Sequence, residues 1–165
     1  MENIEEYEKK EALTDVINDL IKINNDRIEG YEKAMAEINE EDEKDLKPLF
    51  AGMVEESKQF KTELEAIVIV NDGEIAKGAL VTGKLYRAWM GVKSILTRGG
   101  RRTILSSCET GEAAVGDAYK QALESKDLPD GVKLLIEEQQ SMLKASQDTI
   151  RELLEKTVAE AEQRN

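Results

Sequence analysis

Between Leu46 and Ile67, the positions Leu46, Phe50, Met53, Ser57, Phe60, Leu64 and Ile67 follow a strict alternation of four and three residues, apolar at every step but Ser57. That stride places all seven side chains on one stripe of an α-helix, and a strand cannot satisfy it because strand side chains change face at every residue. Three other segments repeat the pattern. Leu13, Ile17, Leu20, Asn24, Ile28, Tyr31, Met35 and Ile38 mark a first helix; Ile104, Cys108, Glu112, Val115, Tyr119 and Leu123 mark a third. Val132, Leu135, Gln139, Leu143, Ser146, Ile150 and Leu153 mark a fourth. Amphipathic helices bury such stripes against one another, so the fold class predicted is all-α, a four-helix bundle.

The punctuation agrees with that division. The acidic run Glu40 to Glu43 separates the first two helices and suits the first turn of the second, and Asn71-Asp72-Gly73 ends the second. Lys126-Asp127-Leu128-Pro129 joins the last two, with Pro129 fit for a helix's first turn. The helices are expected over about residues 11–39, 45–71, 101–125 and 129–160, with frayed termini. The connection over about 74–100 is too long for a tight loop and carries Leu80, Leu85, Ala88, Trp89, Val92 and Leu96 at helical spacing, which predicts a short helix near 79–96. A short loop, a long crossover and a short loop make up the ferritin-like order of connections.

At 165 residues, with 40% apolar and 35% charged residues and only two prolines, the chain fits a single domain able to bury a core unaided. Its net charge of −12 argues against general affinity for nucleic acid or an anionic membrane surface. No apolar run approaches the ~20 residues of a spanning helix, and MENIEEYEKK lacks the features of a signal peptide, so the expected location is cytoplasmic. Cys108 is the one cysteine and the chain has no histidine, which leaves no base for a cysteine nucleophile and assigns Cys108 to packing.

Charge is segregated along the chain. From Ile75 to Cys108 there is no acidic residue, against seven basic ones: Lys77, Lys84, Arg87, Lys93, Arg98, Arg101 and Arg102. This segment could lie over the acidic bundle, dock on the acidic face of another copy, or form an anion site at Thr97 to Arg102, where Arg98, Arg101 and Arg102 precede a helix. The two halves also look alike. Asn24 precedes Tyr31 by seven residues as Glu112 precedes Tyr119, and Met53-Val54-Glu55-Glu56 parallels Leu135-Ile136-Glu137-Glu138, which suggests a duplicated hairpin.

Leu20, Asn25 to Tyr31, Leu49-Phe50, Phe60, Glu63-Leu64, Gly78 to Leu80, Arg87, Trp89-Met90, Lys93, Leu96-Thr97, Glu109, Gly111-Glu112, Ala118-Tyr119 and Asp127-Leu128-Pro129 resemble a bacterial family of ferritin-like four-helix-bundle proteins of unknown function. The resemblance runs over roughly residues 11 to 156, and a wider kinship looks like rubrerythrin and ferritin. Those relatives place one Glu on the first helix and a Glu-x-x-His on the second helix of each half around two metal ions. Carried onto this chain, the template sets Asn24 and Glu112 in the first-helix positions and Glu56 and Glu138 in the second, with Gln59 and Ser141 where the histidines would stand.

Three functions remain open. Asn24, Ser57, Glu112 and Gln139 can satisfy one another as a polar layer in a non-catalytic bundle, an interaction or stress-associated protein working as a homo-oligomer or with a protein partner. Glu56, Glu112 and Glu138, with Asn24 and Gln59, can instead hold a weak divalent metal in a Mn or Fe oxidoreductase centre. Arg98, Arg101 and Arg102 can bind an anion. No cofactor is expected beyond that weak metal.

Overall fold

The computed structural model describes residues 3–42, 44–78, 100–126 and 128–164. Four helices make up the described fold: α1 (Ile4–Glu37), α2 (Leu46–Val70), α3 (Arg101–Leu123) and α4 (Asp130–Gln163), with no strand among the described residues. The crossover helix expected near 79–96, together with Trp89 and most of the basic segment, lies outside the described residues.

Cross-helix hydrogen bonds give the directions. Arg27 on α1 reaches Ser57 on α2, while Asn18, nearer the start of α1, bonds Glu74 beyond the end of α2, so these helices are antiparallel. Asn24 meets Tyr119 and Tyr31 meets Glu112, which sets α3 antiparallel to α1. Tyr119 bonds Gln139 and Glu109 bonds Arg151, which sets α4 antiparallel to α3. Thus α2 and α3 run in the same direction. Beyond α2, residues 74–78 follow α1 toward its C-terminal end, since Asn18 holds Glu74 and Ala76, and Asn25, further along α1, holds the Gly78 carbonyl.

The core takes in most of the stripes read from the sequence, including Ile17, Leu20, Tyr31, Phe50, Phe60, Leu64, Ile104, Val115, Tyr119 and Ile150, all fully or almost fully buried, but on α4 the fully buried residue is Ile136, beside the expected Leu135, which is half-buried. Each large apolar side chain removed from water here contributes roughly 1.5–3 kcal/mol. Packing is densest within the α1–α2 and α3–α4 hairpins, α1 against α3 joins the halves, and α2 touches α4 least.

One end differs from the periodicity. The first helix starts at Ile4, well before residue 11, although Ile4 and Tyr7 are exposed. It extends because Asn3 caps it, accepting from the Glu5 backbone N–H, and Glu5 and Glu6 stand in its first turn, where the helix dipole favours negative charge. At the end of α2 the Gly73 N–H bonds the Val68 carbonyl and the Asp72 N–H bonds that of Ile69, a Schellman closure. The residue with positive φ there is Asp72 (58°), not Gly73. Gly73 is needed for space, since a Cβ on it would lie 2.6 Å from Thr14 Cγ2 and 3.1 Å from Val68 Cγ1.

Opposite the Gly73 end, Arg101 at the start of α3 pairs with Asp42 and Asp45 of the α1–α2 connection and donates to Thr157 Oγ1 on α4. The acidic connection therefore serves Arg101 more than the first turn of α2. No helix among the described residues is long and apolar enough to cross a membrane.

Candidate functional site: a caged guanidinium at the bundle centre

On α1, Asn24 and Tyr31 stand seven residues apart, two turns along one stripe; Glu112 and Tyr119 stand likewise on α3. Because the helices are antiparallel, the pairs interlock. Asn24 Nδ2 donates to Tyr119 Oη at 2.9 Å, and Tyr31 Oη donates to Glu112 Oε1 at 2.6 Å. Tyr119 Oη passes its own proton to Gln139 Oε1 at 2.7 Å, and Gln139 Nε2 lies 3.4 Å from the Phe60 carbonyl. The spacing shared by the two halves becomes a reciprocal pair of contacts about the bundle axis.

Arg27 breaks this symmetry. It occupies the α1 stripe between Asn24 and Tyr31, where the matching α3 position is Val115, and its side chain is fully buried. Nε donates to Glu112 Oε1 at 2.7 Å. Nη1 donates to Ser57 Oγ at 2.9 Å and to the Met53 carbonyl at 3.2 Å. Nη2 meets Glu56 Oε1 at 3.0 Å and Met53 Sδ at 3.3 Å. The guanidinium has five N–H groups, and all three of its nitrogens are engaged by five acceptors on two other helices. Its carbon also lies 5.5 Å from the centre of the Tyr31 ring, which packs in turn on Phe50.

Electrostatics follow from the burial. Burial opposes the charge on Arg27, but Glu112, Tyr31 and Glu56 outweigh it and hold the group protonated above its ordinary range. Burial, then the neighbouring Glu112, pushes the Tyr31 hydroxyl well up, so it stays a proton donor. Burial likewise raises Tyr119 against the opposing hydrogen bond from Asn24, and raises the Cys108 thiol, which makes it a poor nucleophile. Among the described residues, two buried acceptors, Asn24 Oδ1 and Glu112 Oε2, find no hydrogen-bond partner.

The residues proposed from sequence divide here. Asn24 and Glu112 are at the centre. Glu56 lies at its edge, with an 18% exposed side chain, bonded to Arg27 and to Ser146 Oγ at 2.9 Å. Gln59, Glu138 and Ser141 are exposed on the outer faces of α2 and α4. Ser57 and Gln139, one residue after Glu56 and Glu138, face inward instead, as the stripes require. The six positions of a paired-metal template therefore do not converge, and one oxygen of each carboxylate near the centre is already engaged: Glu112 Oε1 by Arg27 and Tyr31, Glu56 Oε1 by Arg27 and Ser146. Among the described residues, no group of three or more His, Cys, Asp or Glu side chains is placed to hold a metal ion. A di-metal centre does not fit these donors.

Of the arginines proposed for anions, Arg98 lies outside the described residues, Arg102 is exposed and Arg101 is committed to Asp42 and Asp45. Its hydrogen bond to Arg101 holds the Asp45 carboxyl below the usual range. Sequence reasoning missed Arg27, although a signal was present: Leu20, Asn24, Arg27 and Tyr31 continue the stride of four and three, with Ile28 one residue off it.

A family model described as "Domain of unknown function (DUF2383)" matches residues 12–125, which include every member of the Arg27 cage. No curated protein and no solved structure matches the chain.

Proposed function

The chain belongs to the family of the domain of unknown function DUF2383, and from that premise we propose that it is a non-catalytic, ferritin-like helical bundle acting as an interaction or stress-associated protein. The observation that carries this reading is the Arg27 guanidinium lodged between Glu112 and Glu56, two of the positions that the resemblance assigns to metal ligands. The parallel course of α2 and α3, with a long return between them, supports the ferritin-like assignment. A positive charge fixed there repels a divalent ion and occupies one oxygen of each carboxylate such an ion would need. The partner is a second copy or another cytoplasmic protein, and the exposed Ile69, Val70, Leu134 and Met142 supply apolar area for the contact.

The deciding experiment is elemental analysis of protein purified without chelator and soaked in Fe, Mn and Zn salts, run beside light scattering on a sizing column. The expected result is no stoichiometric metal and a mass above the 18.5 kDa monomer. Stoichiometric metal that disappears in Glu112→Gln would overturn the non-catalytic reading, and a strict monomer at all concentrations would overturn self-association.

A further inference from the structure

We infer that the centre of the bundle is a guanidinium site in its own right, a cavity selective for a planar, multiply donating cation, which the chain fills from within through Arg27. This deepens the non-catalytic reading of the same site, and the two can fail separately.

The acceptors carry the inference. Two carboxylate oxygens, a hydroxyl, a backbone carbonyl and a thioether surround one guanidinium at 2.7 to 3.3 Å, drawn from α2 and α3. A divalent metal prefers oxygen or nitrogen donors around a point, whereas here a thioether and a carbonyl take separate N–H groups on the rim of a plane. Free ammonium has four donors in a tetrahedron, and a lysine ammonium three, for these five acceptors, and neither offers the flat face that the guanidinium carbon brings within 5.5 Å of the Tyr31 ring centre. The cage is also supported without Arg27, because Tyr31 holds Glu112 and Ser146 holds Glu56. Glu56, with an 18% exposed side chain, is the wall of the cage that reaches solvent, the side from which a small cation would enter.

The test is thermal unfolding of full-length Arg27→Ala with guanidinium or methylguanidinium chloride at 10–50 mM, below denaturing levels, against sodium, ammonium and manganese chlorides at matched ionic strength. Guanidinium should raise the midpoint of Arg27→Ala, by about 4 °C at ten times its dissociation constant, and leave wild type unraised. No rise with guanidinium, or a larger rise with ammonium or manganese, would overturn the assignment. If Arg27→Ala is unfolded alone, recovery of its helical spectrum with guanidinium supports the site, and failure to recover counts against it. In wild type, the Arg27 Nε–H should give a resolved, slowly exchanging nitrogen-correlated proton resonance; exchange at the rate of an exposed arginine would overturn the cage independently. Metal in wild type would sink the non-catalytic reading and still leave the guanidinium selectivity of Arg27→Ala to be read.

Discussion

Replacing Arg27 by Met removes the charge and all five polar contacts while keeping an unbranched chain in the same space. The loss falls unevenly. Glu56 has an 18% exposed side chain and keeps Ser146, so water can replace the lost partner. Glu112 is fully buried and, among the described residues, keeps only Tyr31 and already has one oxygen without a partner. Removing one member of a buried ion pair costs about 3–5 kcal/mol, against less than about 1.5 kcal/mol for a volume-conserving apolar exchange. At about 2–4 °C per kcal/mol for a chain of this length, the unfolding midpoint should fall by roughly 10 °C. Arg27→Met/Glu112→Gln removes both charges, so it should recover much of the loss, with a coupling energy of about 2–3 kcal/mol in the double-mutant cycle. Urea unfolding followed by circular dichroism measures all four proteins, and molar salt should change the coupling little because the pair is shielded from the solvent. A single variant within about 1 kcal/mol of wild type, or additive singles, would refute the caged ion pair.

Tyr31 and Tyr119 have folded-state pKa values raised above the unfolded value of about 10, so their contribution to stability is full below that pH and is lost as pH climbs beyond it and the unfolded chain ionises. In a titration at 295 nm neither should yield tyrosinate before the helices melt; a Tyr31→Phe or Tyr119→Phe variant that loses absorbance change in the folded range would contradict this. Gly73→Ala should destabilise by about 1–3 kcal/mol through its clash with Thr14, whose branched side chain has little freedom on a helix, and Thr14→Ser should relieve most of it; an unchanged denaturation midpoint would remove the packing argument. Arg101→Ala breaks a partly exposed pairing with Asp42 and Asp45 and should cost about 1 kcal/mol, reduced further by salt, and phosphate should not raise the wild-type melting temperature; a phosphate-dependent rise would restore Arg101 as an anion ligand.

The helices and their inward faces were legible because the stripes are long and strictly periodic, and periodicity measures burial directly. Ser57 and Gln139 keep that period, and both are inside. Glu56, Gln59, Glu138 and Ser141 came from a motif carried over by resemblance, and Gln59, Glu138 and Ser141 lie about a hundred degrees or more around the helix from their stripes. Arg27 escaped notice for a different reason. An arginine next to an isoleucine on a helix reads as the solvated neighbour of a core residue, since guanidinium groups are seldom fully buried without a partner. The partner is Glu112 on another helix, and no local pattern reveals that long-range pairing. The first turns of α1 were missed because they bury little and depend on a cap and acidic residues.

The cage also has an order of construction. Arg27 finds Met53 and Ser57 within the first hairpin, 26 and 30 residues away, but Glu112 is 85 residues away. At about 5–20 residues per second, Glu112 leaves the ribosome roughly 3–11 s after Ser57. For that interval the nascent first hairpin holds a cation in a seam open on one side, with Glu56 as its only nearby carboxylate in the cage. The second hairpin then meets a surface marked by one charge at one height, and sliding α3 by a turn would strand Glu112 without its cation and leave Arg27 with Glu56 as its carboxylate partner. In a chain that folds as it is made, the buried charge would serve as the register mark for docking of the late half.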